Sequence, residues 1–333
     1  MNILLETDVP FRDALVSAGA LQLLLLRHQN EGEVAFQIAG GKRYLLHDEL
    51  EAVQEKNFVP DGVIFYGLQA PEAERHHELQ RRFEESAIEL LNPASISSLA
   101  DSKSFTLKKW QKAGVSCPGF RVFKPGEKTT YRKIKEFIEH RKLQHVFIQA
   151  DDLTEGLETW HFSATEFRNE ADYFQSILLP SLQNRTFLVK EPRGNCYLQH
   201  GRKYVPLVWR ILYLNVGGEV YDDHGFVQVA SHDSALTSIK KGGWIADFSQ
   251  LQAPINYREK EGFFEADVTG DDMNIIRKRL REAMEVFQKG EEECLCFAGI
   301  DFVLERQGDE WNPVFLEINP RCGALNKMGV FQR

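Results

Sequence analysis

A chain of 333 residues, 43% hydrophobic and 27% charged, has the composition of an ordinary soluble globular protein with room for two or three domains. Its formal net charge of −9 argues against a general nucleic-acid binder and against binding to an anionic membrane, whereas a small anionic ligand needs only a few local cations. The five cysteines, Cys117, Cys196, Cys294, Cys296 and Cys322, form no C-x-x-C pair and read as reduced thiols of a cytoplasmic protein.

The N-terminus carries Glu6 and Asp8 and no basic stretch, so it does not read as a signal peptide. "MNILLE" reads as a short strand. Asp8-Val9-Pro10 then open a helix to about Arg27, with Pro10 in the first turn, where its missing N–H costs nothing. The apolar run from Leu21 to Leu26 is that helix's buried end and is far too short to span a bilayer. "VAFQIAG" and "KRYLLH" flank Gly40-Gly41 as a hairpin, "DGVIFYG" is an apolar strand, and a charged helix runs from Pro71 to about Leu90. This alternation implies an α/β layer.

Asp101 or Ser102 can cap a helix through Lys112 that Gly114 ends. "GFRVF", a helix from Tyr131 to Arg141, the strand "HVFIQA", a polar loop around Gly156, a helix from Ala164 to Gln183 and the strand "RTFLVKEP" follow. "YVPLVWRILYLNVGGEVY" is a hairpin about Gly217-Gly218, and "GFVQVAS" another strand. A last helix, Asp272 to about Lys289, precedes Cys294 and Cys296. These two share a strand face and are poorly placed to bridge each other.

"GIDFVLERQGDEWNPVFLEINPR" closes the chain's ordered pattern as two apolar strands around a polar turn. Strand alternation puts Phe315, Glu317 and Asn319 on one face and Leu316 and Ile318 on the other. A turn centred on Asp309 sets Asp301 opposite Glu317. Like charges in that relation destabilise a sheet, and a divalent cation between them removes the problem. Oxygen donors from Asp301, Glu317 and Asn319 suit Mg²⁺, and Arg321 supplies a neighbouring fixed cation for a phosphoryl group. The alternative is a solvated face with two unrelated carboxylates; the strongly apolar flanks weigh against it. Arg210 and Lys190 both interrupt apolar strands, and a buried cation needs a partner.

These pieces resemble the ATP-grasp superfamily of carboxylate–amine ligases. "GIDFVL" with "FLEINPR" is similar to its closing metal-binding strands. "DSKSFTLKKWQKAGVSCP" is similar to the Lys-led helix before its first subdomain, "TFLVKEP" to the strand entering its adenine hinge, and "VWRILYLNVGGEVY" to its Arg-bearing hairpin. The resemblance covers about Leu91 to Gly323. It implies an α/β plus α+β fold: an N-terminal Rossmann-like pre-ATP-grasp domain (1–100), a first ATP-grasp subdomain (101–190) and a second carrying the Mg²⁺ site (191–333).

The implied reaction passes the γ-phosphate of ATP to a carboxylate, and an amine then displaces phosphate from the acylphosphate. The implied cofactors are ATP and Mg²⁺, with Mn²⁺ as a substitute. The implied partners are small carboxylate and amine substrates, a peptide among them, and a second copy in a homodimer. By the same resemblance Asp301, Glu317 and Asn319 hold the metal, and Arg210 and Arg321 are catalytic. Lys103, Gln149, Val189, Lys190, Glu191 and Lys241, with Lys240 beside it, bind the nucleotide. At position 149 the family commonly has Lys, and its phosphate loop is glycine-rich, whereas here the loop holds one Gly and several acids. A non-catalytic ATP-binding protein that keeps the fold is the competing expectation.

Overall fold

The computed structural model describes residues 92–128, 130–153, 158–182, 184–216, 218–231, 234–247, 254–288 and 294–320, together with Arg81 and the backbone of seven strands before residue 92. Those strands are β1 (Ile3–Glu6), β2 (Leu15–Ala18), β3 (Leu21–Arg27), β4 (Glu33–Gln37), β5 (Arg43–His47), β6 (Gly62–Phe65) and β7 (Glu89–Leu91), in the sheet order β2-β3-β4-β1-β5-β6-β7. The strands flanking Gly40-Gly41 pair antiparallel as β4–β5, and the turn between them lies outside the described residues. The helix expected up to Arg27 is not: residues 15–27 contribute two antiparallel strands. A short continuous apolar run such as Leu21–Leu26 has no polar face to fix a helical period, so it serves a buried strand equally well. Most of the helix expected over 71–90 lies outside the described residues, and Glu89 and Leu90 belong to β7.

From Asn92 onward the elements follow the sequence closely. A helix at Ala94–Asp101, which the sequence reading passed over, leads straight into the helix Lys103–Ala113. Ser102 caps the second, its hydroxyl accepting from the Phe105 N–H, and Gly114 ends it with φ 75°, the left-handed turn that glycine adopts without a Cβ clash. β8 (Phe120–Phe123), β9 (His145–Ala150), β10 (Thr159–Ser163) and β11 (Phe187–Lys190) make an antiparallel sheet in the order β10-β9-β11-β8. The helix Thr130–His140 and a helical stretch over residues 164–181 with an internal π turn cover one face of it. Ile134, Val146, Ile148, Phe167, Phe174 and Val189 form the core between them.

The larger sheet holds β12 (Cys196–His200), β13 (Lys203–Val216), β14 (Glu219–Tyr221), β15 (Gly225–Val229), β16 (Trp244–Asp247), β17 (Ile255–Glu259), β18 (Gly262–Ala266), β19 (Phe297–Gln307) and β20 (Glu310–Asn319). Its main path is β16-β15-β13-β12-β17-β18; β13 also pairs β14 and β19, and β19 pairs β20. Trp110 from the capped helix, Met284 from the helix Gly270–Glu285, and Phe302 and Phe315 from the last hairpin pack into one core against this sheet. Trp110 is fully buried and satisfies its indole by donating to the Ala283 carbonyl at 3.0 Å.

The last hairpin turns at Gly308-Asp309 and carries a bulge between Asp301 and Phe302. Leu316 is the extra residue, so Asp301 faces Glu317 while Phe302 faces Phe315. Simple alternation therefore fails for Phe315. Its ring lies in the core, 5.7 Å from Trp110, and does not share the Glu317 face.

Asn92 holds this hairpin from outside. It is buried, with φ 72°, and its amide nitrogen donates to the carbonyls of Phe297 and Pro320. Its Oδ1 accepts from the N–H groups of Cys296 and Phe297. One side chain thus ties the start of β19 to the end of β20. Asn92→Ala is expected to cost about 3 kcal/mol or more, because several buried backbone groups lose partners at 1–3 kcal/mol each. Asn92→Gly, which keeps the left-handed backbone, should recover only the conformational part. Urea unfolding reads both, and wild-type stability in the Gly variant would show that the side chain does not hold the hairpin.

Candidate active site

Three neighbouring strands set three charges in a row. Arg210 on β13 is in register with Asp301 on β19, and Asp301 with Glu317 on β20. Arg210 grips both carboxylate oxygens of Asp301, Nε to Oδ1 at 2.5 Å and a terminal nitrogen to Oδ2 at 2.6 Å. This fork-to-fork geometry is the strong form of the Arg–carboxylate pair. The guanidinium also lies over the Phe226 ring at 5.7 Å.

Two lysines complete the cluster. Lys103 stands at the first position of its helix with its side chain buried, 3.8 Å from Glu317 Oε2. Its ammonium donates to the Leu153 carbonyl and, at 3.5 Å, to that of Asp151. The helix end is locked by Asp151, whose carboxylate accepts from the Ser104 N–H at 2.6 Å and from the Ser102 and Ser104 hydroxyls at 2.8 and 3.0 Å. Lys190 ends β11. Burial pulls its ammonium down to about 8, with Glu317, Asp151 and Asp301 pulling it back up and Lys103 pushing it further down. The same field acts on the carboxylates. Burial pushes Asp301 up to about 6 against the pull of Arg210. Burial also raises Glu317, but Lys103, Lys190 and Arg210 outweigh it and hold that carboxyl below its usual range. With Asp151 included, three cations face three carboxylates in one desolvated cluster, where each charge acts on its neighbours far more strongly than in water.

Gln149 is buried on β9, opposite Leu188 and on the sheet face away from Val146, Ile148 and Val189. Lys190 lies two residues beyond Leu188 and shares that face. Asn319 donates its amide to the Gly299 carbonyl at 3.3 Å, which turns its Oδ1 the other way. The structure thus brings together Lys103, Lys190, Arg210, Asp301 and Glu317, with Asn319 two residues from Glu317.

Other expected residues stand differently. Val189 is in the smaller core, between β8 and β9. The Glu191 carboxylate accepts from the Gly119 N–H at 2.8 Å and pairs with Arg141 at 2.6 Å, so it braces the strand end. Lys241 is exposed on the turn Ile239–Lys241; the side chain of Lys240 and all of Arg321 lie outside the described residues, as does the loop at Gly156. Asp151 and Asn92 were missed by sequence reasoning. The signal for Asp151 was the Ser-Lys-Ser triplet around Lys103, whose donors need a buried acceptor.

Solved structures show the same architecture. D-cycloserine synthetase DcsG is similar over 84% of this chain and 82% of its own, at 15% identity and a TM-score of 0.51. VanG D-Ala:D-Ser ligase from Enterococcus faecalis matches over 90% of this chain and 70% of its own, at 13% identity and a TM-score of 0.50. Biotin carboxylase from Campylobacter jejuni, solved as a β,γ-ATP complex, matches over 81% of this chain and 51% of its own, at 10% identity and a TM-score of 0.51. The chain has the ATP-grasp fold. It spans about half the length of the biotin carboxylase. No protein-family profile matches the sequence, and no curated protein matches it in sequence.

Within the ATP-grasp fold the charged cluster straddles two sheets, Lys190 coming from the four-stranded one and Arg210, Asp301 and Glu317 from the nine-stranded one. The donor chemistry fits a hard divalent cation: Glu317 meets Lys103 at a long 3.8 Å and Asp301 across the ladder, Asn319 presents an amide oxygen, and all donors are oxygens. Asp301 joins them if Arg210 yields one of its two oxygens. Among the described residues no group of three His, Cys, Asp or Glu side chains converges, so the amide of Asn319 is needed to complete such a set. No described helix is long and apolar enough to cross a membrane.

Proposed function

We propose that this protein is an ATP-dependent ligase that joins a carboxylate to an amine through an acylphosphate, releasing ADP and phosphate. The Arg210–Asp301–Glu317 row, flanked by Lys103 and Lys190 inside an ATP-grasp fold, is the observation that carries this reading. We read residues 1–100 as a Rossmann-like leading domain, 101–190 as the first ATP-grasp subdomain and 191–333 as the second.

Phosphoryl transfer asks little covalent chemistry of a protein; it needs positioning and neutralised charge. Lys103 and Lys190 supply buried positive charge for the phosphates of ATP. Arg210 keeps Asp301 ionised and aimed, and its own charge faces the oxyanion that forms when the amine attacks. Glu317, Asn319 and Asp301 would hold Mg²⁺ or Mn²⁺, which when bound neutralises the β- and γ-phosphate oxygens. Arg321, two residues past Asn319, adds a cation on the acylphosphate side, and Lys241 on its exposed turn stands for the acceptor or phosphate side. The substrates are a small carboxylate and a small amine or peptide.

The test is ADP release from Mg·ATP, with pools of amino acids and short peptides as acceptors. Acceptor-dependent ADP release that EDTA abolishes is the expected result. Gln149, at a position where a lysine would be expected, favours a second reading, a non-catalytic ATP-binding protein. Tight Mg·ATP binding without turnover on any acceptor would select it.

A further inference from the structure

Cys294 and Cys296 flank Leu295 just before β19. On a flat strand, side chains two residues apart stand about 6.6 Å from each other. Here the two sulfurs are 3.6 Å apart, both as thiols. The two are unbridged, as their spacing leads us to expect, but the sulfurs are closer than a flat strand would place them, and the reason is local. Residues 294–296 are not strand, because Leu295 is drawn into the main core. Its N–H donates to the Phe287 carbonyl at 3.2 Å, and its carbonyl accepts from Gln288 Nε2 at 2.8 Å. The Cys294 thiol donates to Gln288 Oε1 at 3.3 Å, and the Cys296 carbonyl accepts from the Asn215 N–H at 2.8 Å. Both ends of the segment are therefore held, and both cysteines are half-buried.

We propose that Cys294 and Cys296 form a reversible dithiol–disulfide couple oxidised by low-molecular-weight disulfides. One cysteine thiolate attacks a sulfur of the small disulfide; a protein–small-molecule S–S bond forms and the first small thiolate leaves. The second cysteine thiolate attacks the protein sulfur of that bond, closes the ring and expels the second small thiolate. Two electrons pass from the cysteines to the small disulfide, and the two thiol protons go to the released thiols. Closing needs the sulfurs to approach by about 1.5 Å. A ring spanning one intervening residue is strained, which places the bond among the labile, readily reduced disulfides.

Selectivity follows from the other thiols. Burial pushes Cys117 up to about 11 and Cys196 far above the usual thiol range, so neither supplies thiolate near neutral pH.

The test incubates the full chain with oxidised glutathione, traps remaining thiols with an alkylating agent and maps the products by mass spectrometry. The expected product is a peptide containing Cys294 and Cys296 that is two hydrogens lighter, unalkylated, free of glutathione and restored by dithiothreitol. Cys294→Ser should leave a stable glutathione adduct on Cys296, and Cys296→Ser one on Cys294. Glutathione retained separately on both cysteines of the wild type would overturn the proposal. So would full alkylation of the pair after oxidation, or a bridge from either residue to Cys322. The wild-type result decides even if a serine variant fails to fold.

Discussion

Replacing Arg210 by Leu is expected to destabilise the protein by about 3–5 kcal/mol, the range for stripping one partner from a buried ion pair. The Asp301 carboxylate keeps only 6% exposure, has both oxygens on Arg210 and faces Glu317 across the ladder. Without the guanidinium, Asp301 becomes a buried charge beside a second one. The chain can escape by protonating Asp301, and that makes the deficit depend on pH. Burial already places this carboxyl at about 6, above its unfolded value of 3.8, so the folded state binds the proton more tightly. The stability that the bound proton contributes is present below the unfolded value and is lost as pH rises through about 6. Removing Arg210 raises the folded value further, so the deficit of the variant should shrink as pH falls from about 8 to about 5. Urea unfolding across that range checks the sign. The double variant Arg210→Leu/Asp301→Leu should recover most of the loss, since it removes both charges and leaves apolar side chains in an apolar setting. A single variant as stable as the wild type at every pH would show that the pair contributes nothing.

The row across β13, β19 and β20 was half legible in the sequence. Asp301 and Glu317 could be paired because both strands are apolar and the turn between them is short. Arg210 stood out as a charge inside an apolar strand. The residue pattern alone could not join these two observations into one site, and only the family resemblance did so, because Arg210 and Asp301 lie 91 positions apart and their pairing is set by the sheet. For the same reason the charge repulsion between Asp301 and Glu317 found an answer inside the protein: Arg210 supplies part of what a metal alone was expected to supply. Helix ends were legible at Ser102 and Gly114, where local chemistry decides. The bulge at Leu316 was not, because a one-residue shift of phase leaves no mark in a continuous apolar run such as Val314-Phe315-Leu316. Lys190 was read as a nucleotide-binding residue from its place in "LVKEP". Its burial on the face shared with Gln149, beside Glu317, Asp301 and Lys103, is set by the fold and was not legible. The two strands of residues 15–27 were misjudged because Leu21–Leu26 carries no period.

Glu317→Gln is expected to abolish Mg·ATP turnover, by on the order of 10³-fold or more, while the protein stays folded. The substitution keeps the shape of the side chain and removes one negative charge. Its effect on stability should be small, because two terms oppose each other: Lys103 loses a 3.8 Å partner, and Asp301 loses a like charge directly across the ladder. Its effect on a cation is not balanced in that way. Glu317 is the carboxylate whose oxygens are least committed to protein partners, whereas Asp301 is held by Arg210 at both oxygens. Removing it therefore takes the principal anionic donor from the set, and charge neutralisation at a transferring phosphoryl group is worth several kcal/mol, which at 1.36 kcal/mol per factor of ten gives the loss stated. ATP should still bind weakly through Lys103 and Lys190, so the signature is lost turnover and lost Mg²⁺ dependence with nucleotide affinity partly retained. Asp301→Asn separates the alternatives. It should weaken Mg²⁺ dependence less and cost more stability, because it loosens Arg210. Turnover in Glu317→Gln at the wild-type rate and with the wild-type Mg²⁺ dependence would remove Glu317 from the metal set. The cation, if one is used, would then have to be held by Asp301 and Asn319 without the only carboxylate of the row that no arginine grips.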